Sequence, residues 1–220
     1  MRMAKFECDP PSAQGARASG VGGGTPDVQF MCWYPLSRQM NATVDTDDAV
    51  NAVLGAEGRS KEIPESGDAY GWLVGSWELD VLHYWATDVS AQDIKGEMHA
   101  RWVLEGRAVQ DVWIMPRRAD RTGKLDKKMN MYGTTLRLWD STIQAWRITW
   151  RNPAGDHHED QIGRWSGKDV VQIGVRADGT PTRWSFTEIT PDSFHWLGES
   201  LGSDGKSWML EGEFRARRLK

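Results

Sequence analysis

KGEMHARWVLEGRAVQDVWIMP, residues 95–116, reads as two β-strands folded about Glu105-Gly106. A tight turn fixes register. Leu104 then faces Arg107, Trp102 faces Val109, Ala100 faces Asp111, and Met98 faces Trp113. That face is apolar except for Asp111. The other face carries Glu97, His99, Arg101 and Gln110 and reads as solvent-exposed. One apolar and one polar face per strand is the pattern of an antiparallel sheet wrapped on a core. Asp111 becomes a carboxylate among indoles. It is either a buried acid satisfied by a Trp N–H or an Arg, or an anchor or base shifted by desolvation.

The same two-residue period extends outward in both directions. GSWELDVLHYWATD (75–88) is one strand, and residues 131–153 are two more. Residues 158–179 form a pair about Ser166-Gly167, and residues 182–218 form three strands. Short strands at this spacing predict an all-β fold of about ten antiparallel strands, a sandwich or barrel. The only long connection is 116–130. Pro64–Leu73 reads as a short helix that plugs an open end.

Pairing Leu138 with Trp146 turns Tyr132, Thr134, Leu136 and Leu138 inward with Trp150 and Asn152, and turns Thr135, Arg137, Arg147 and Thr149 outward. In the C-terminal strands Glu188 faces His195. Inward, they are a carboxylate–imidazole pair for acid–base work. Outward, they are an exposed cross-strand pair, and the apolar face with Phe194, Trp196, Trp208, Leu210 and Phe214 lines the interior. The outward placement is the expected one, because Glu199, Glu211 and Glu213 share that face with Glu188, and four buried carboxylates carry a heavy desolvation cost.

The 220-residue chain has a net charge of −4 and 13 tryptophans, twelve of them after residue 71. The acidic balance argues against nucleic-acid binding. No apolar run spans a membrane, and no apolar h-region marks a signal peptide. Cys8 and Cys32 make no disulfide framework, so a cytoplasmic setting is expected. Residues 1–64 read as a flexible leader, with 9–26 rich in Gly, Ala, Ser and Pro. A short helix over 45–56 would put Val50, Val53 and Leu54 on one face. The barrel domain is expected over 65–220. A homodimer is compatible with the sequence.

LVGSW (73–77), WVLEGRAVQDVW (102–113), AWRITWRNP (145–153) and WSFTEITPDSFHW with SDGKSW (184–208) together resemble bacterial lipocalin-like, calycin-type barrel families of unknown function. The resemblance implies a short helix followed by ten up-and-down strands. Those families are similar in topology to fatty-acid-binding proteins and to haem-binding nitrobindins, whose first strand reads Gly-x-Trp-x-Gly-x-Gly. Gly75 and Trp77 match that pattern, while Leu79 and Val81 stand in place of its later glycines. No cofactor is carried over.

Indole packs well and presents an N–H to polar ligands, so this much tryptophan suggests a binding cavity. The expected partner is a small, largely apolar or aromatic molecule. Its contacts would be Trp85, Trp102, Trp113, Thr134, Trp150, Asn152 and Trp184. The alternative is a cofactor-independent cyclase, isomerase, lyase or hydrolase, with Asp111, Tyr132, Glu188 and His195 as acid–base candidates. His157 and Glu159 share a strand face, but two ligands do not make a metal site, and none is expected. His83 shares a face with Trp77, Leu79, Val81 and Trp85, and is either an inward histidine or one hydrogen-bonded at a barrel end. Loop 117–128 holds six basic residues and two acids beside the expected mouth. It is either a solvated loop or a funnel for anions.

Overall fold

A computed structural model describes residues 46–220. Helix α1 (Thr46–Leu54) is followed by strands β1 (Gly75–Tyr84), β2 (Thr87–Asp88), β3 (Lys95–Val103), β4 (Ala108–Met115), β5 (Met131–Asp140) and β6 (Ala145–Asn152). The remaining strands are β7 (His157–Ser166), β8 (Asp169–Val175), β9 (Pro181–Thr187), β10 (Ser193–Leu201) and β11 (Trp208–Arg218). From β3 to β11 each strand pairs with its sequence neighbour, and β1 pairs with both β3 and β11. Ten strands thus close into an antiparallel barrel. The short β2 pairs only with the end of β1, outside the ring. Closure leaves the ten barrel strands without a free edge. Residues 1–45, including the expected flexible stretch 9–26, Trp33 and both cysteines, lie outside the described residues.

The β3–β4 register is the expected one: Met98↔Trp113, Ala100↔Asp111, Trp102↔Val109. The β5–β6 register is not. Trp139, rather than Leu138, opposes Trp146. The turn Ser141–Gln144 has four residues, with Asp140 Oδ1 accepting from the Thr142 amide at 2.8 Å. A slip of one residue inverts a strand's faces. Thr135 and Arg137 therefore point inward and are buried, while Tyr132 (44% exposed) and Leu138 face solvent. Thr134 also faces out, donating to the Asp111 carbonyl oxygen at 2.7 Å.

Two register shifts re-aim further side chains, as bulges do. One between Val81 and His83 turns His83 outward, 3.1 Å from Glu213. The other, between Gly198 and Glu199, leaves Glu211 inside while Glu213 faces out. Glu188 lies just beyond β9, so Thr187, not Glu188, opposes His195.

The segment before β1 closes one end of the barrel, as expected, with two 3₁₀ turns (Glu65–Gly67 and Gly71–Leu73) in place of a helix. Ile63, Ala69, Tyr70 and Leu73 are buried in the core. Indoles pin this plug. Trp77 donates to the Leu73 carbonyl at 2.8 Å, Trp146 to Gly67 at 2.7 Å and Trp165 to Asp68 at 3.1 Å. Part of the tryptophan content is thereby structural. The chain after α1 runs along the β3–β4 hairpin, with the Ala56 amide on the Trp102 carbonyl and the Ser60 amide on Gly106, both at 2.9 Å. Among the described residues nothing covers Val50 and Val53, which are 66% and 82% exposed rather than forming a packed face with Leu54.

Candidate functional site

The opposite end of the barrel holds a cavity open to solvent. Strand alternation on β4, β6, β9, β10 and β11 turns Trp113, Trp150, Trp184, Trp196 and Phe214 toward it. Their rings form a continuous wall. Trp150 meets Trp184 edge-on at 6.2 Å, Trp184 meets Trp196 at 5.5 Å, and Trp196 stacks on Phe214 at 5.0 Å. Gly133 and Gly198 let two of these rings lie against the strands, since a Cβ there would fall 2.4 Å from the Trp150 ring and 2.6 Å from the Trp196 ring.

Trp85 stands at the mouth in the turn between β1 and β2, with its own φ at 48° and that of Ala86 at 57°. A left-handed bulky residue is strained. The turn holds the indole edge-on against His157 at 4.9 Å. His157 is fixed on both sides. The Trp150 Nε1 donates to its Nδ1 at 3.2 Å, so Nε2 carries the proton and donates to Glu159 at 3.1 Å.

A buried chain of polar groups runs from that rim to the floor. Arg176 donates to Glu159 at 2.7 Å and grips Glu211 with two bonds of 3.0 and 2.6 Å. Thr182 donates to Glu159 at 3.0 Å and accepts from Gln161 at 3.4 Å; Gln172 joins Gln161 to the Tyr70 hydroxyl. Burial pushes the Glu159 and Glu211 carboxyls up, but the bonds outweigh it: His157, Arg176 and Thr182 hold Glu159 below the usual range, and Arg176 holds Glu211 there. Burial pushes the Tyr84 phenol up to about 12, so this wall residue stays protonated at neutral pH.

At the floor, the Arg137 guanidinium donates to Asp111 Oδ2, while Asp111 Oδ1 accepts from the Thr135 amide at 3.0 Å. Arg137 lies beneath the Tyr70 ring, 4.9 Å from its centroid. Its side chain is only 2% exposed, and that of Asp111 is fully buried.

The structure gathers Trp85, Trp113, Trp150, Asn152 and Trp184 around one cavity, with Asp111 bound to its floor. Trp102 is buried at the plugged end against Trp146, 6.2 Å away. Tyr132 and Thr134 lie outside. So do Glu188 and His195, where His195 bonds Glu213 at 2.8 Å and Glu188 bonds Arg215 at 2.9 Å. Sequence reasoning missed Arg137, Arg176 and Glu211. For Arg137 a signal existed, since an inward acid on β4 calls for a cation on an adjoining strand. For Arg176, in the turn after β8, none did.

Loop 117–128 does not present free cations alone. Arg117 bonds Asp120 and Glu78, Arg118 bonds Glu97, and Arg121 bonds Asn130. Among the described residues no group of three His, Cys, Asp or Glu is arranged to hold a metal ion, and no helix is long and apolar enough to cross a membrane. No protein-family model matches this chain, and no curated protein matches it.

Proposed function

We propose that the protein binds a small, flat, largely apolar or aromatic molecule in the cavity at the open end of the barrel. The observation that carries this reading is the wall itself: five indoles and a phenyl ring converge on one space. Stacked and edge-on aromatic contacts give such a surface its preference for flat ligands. The indole at Trp85 sits where an entering molecule meets the protein first. Asp111 argues against acid–base chemistry. Its carboxylate is neutralised by Arg137 and further bonded by a backbone amide, which is the arrangement of a structural ion pair rather than of a base.

Tryptophan emission reports on the wall directly. Titration with flat naphthalene derivatives is expected to quench it saturably, and native mass spectrometry to show one molecule per chain. Trp184→Ala is expected to weaken binding about tenfold or more, as loss of a central aromatic contact does. No saturable change with any flat probe, or identical titrations for the wild type and Trp184→Ala, overturns the reading.

A further inference from the structure

Arg137 has five N–H donors, and Asp111 takes one of them, on Nη1. Its Nε is buried with no partner at all. The side chain is 2% exposed and lines the inner part of the cavity. A buried donor left unmade costs free energy, and a guanidinium donor costs more than a neutral one. The other charged groups around the cavity, with His157 and Asn152, are spoken for. Arg176 is held by two carboxylates, His157 is bonded at both nitrogens, and Asn152 Oδ1 accepts from the Tyr132 and Gly155 amides. The unmet charged donor of the site therefore lies in one place, at its floor, and it asks for an acceptor.

Charge decides which acceptor. The wall and the groups bonded to it carry two guanidinium groups, Arg137 and Arg176, against three carboxylates, Asp111, Glu159 and Glu211. His157 is neutral in the tautomer its partners fix. The site already holds one excess negative charge. An anionic ligand head would add a second in a poorly solvated space. A neutral oxygen adds none.

We infer that the ligand is an uncharged planar aromatic molecule that enters with a carbonyl-type oxygen foremost and accepts a hydrogen bond from the Arg137 guanidinium. This rests on the proposed binding function and narrows its ligand class. The aromatic body would fill the space between Trp113, Trp150, Trp184 and Trp196, and the oxygen would meet the part of the guanidinium that Asp111 leaves free.

Three probes of one shape test it: naphthyl methyl ketone, its isopropenyl analogue in which a methylene replaces the carbonyl oxygen, and naphthoate. In wild-type protein the ketone is expected to bind about tenfold or more tightly than the isopropenyl compound, the usual worth of a hydrogen bond to a charged group, and more tightly than naphthoate. In Asp111→Asn/Arg137→Met, which removes both charges and keeps an acceptor for the Thr135 amide, the two neutral probes are expected to bind alike. Equal binding of the neutral probes to wild type overturns the inference while leaving the binding function standing. Retained ketone preference in the double variant overturns the role of Arg137. Tightest binding of naphthoate overturns the uncharged class, and binding of no probe overturns inference and function together. Should the double variant fail to fold, the wild-type ratio decides alone.

Discussion

Asp111→Asn is the sharpest perturbation of the barrel interior. The substitution keeps the shape of the side chain and one oxygen for the Thr135 amide, 3.0 Å away. It removes the charge that Arg137 faces. The new amide nitrogen, or a rotated oxygen in its place, cannot satisfy both Thr135 and a full guanidinium charge. Arg137 is then left with the Tyr70 ring at 4.9 Å and the Phe186 ring at 5.9 Å as its remaining stabilising neighbours. Cation–π contacts contribute about 2 kcal/mol at best when desolvated. Breaking one partner out of a buried ion pair typically costs about 3–5 kcal/mol. For a domain of this size, that is a fall in Tm of about 6–20 °C. Thermal melts and urea unfolding followed by tryptophan emission measure it. Adding Arg137→Met to Asp111→Asn is expected to restore roughly 2 kcal/mol, because the stranded charge disappears. A loss under about 1 kcal/mol for Asp111→Asn alone, or no recovery in the double variant, refutes the view that this pair is closed off from water and mutually dependent.

Two further outcomes follow from the geometry. Gly163→Ala places a Cβ 2.2 Å from the Tyr70 hydroxyl and 2.6 Å from Ile148 Cδ1, so it should unseat the plug and cost about 1–3 kcal/mol by denaturant unfolding; an unchanged midpoint would show that the plug yields freely. Glu159 and Glu211 are held below their ordinary 4.5 in the folded chain. The unfolded state therefore binds more protons there, and their contribution is present above pH 4.5 and lost as pH falls through the lower folded values. Unfolding midpoints measured from about pH 6 down to about pH 3 should drop, and Arg176→Met should flatten that drop.

The sequence carried the barrel because its signals were redundant. Turn residues, two-residue alternation and strand spacing all pointed the same way from residue 75 to residue 218. The β3–β4 face was legible for the same reason: Glu105-Gly106 pinned the turn, and a loop lengthened evenly on both sides leaves the parity of the pairs intact. On β5 the pattern misled. Leu136 and Leu138 look like core and Arg137 like surface, yet the four-residue turn at 141–144 shifts the strand by one position. Burial of Arg137 is permitted only by Asp111 on the neighbouring strand, and single-residue hydropathy does not contain that pairing. The bulges beside His83 and Glu211 were equally hidden, since an extra residue in a strand leaves no compositional mark. Of the candidate site, the tryptophans were readable and the polar network that frames them was not.

The β1–β11 seam sets the order of events in making the molecule. Trp77 pairs with Arg218, so the first barrel strand waits for the last before the ring can shut. During synthesis the hairpins from β3 to β10 can form one after another while the growing sheet keeps two open edges, one on β1 and one on the newest strand. Contacts so distant in sequence are slow to form, because the loop between them must be closed before any pairing offsets its entropy. Open edges also invite pairing with other chains. The plug is already made when this interval begins. It immediately precedes β1 and carries Tyr70 and Leu73, against which the incomplete sheet can curl before the seam is available.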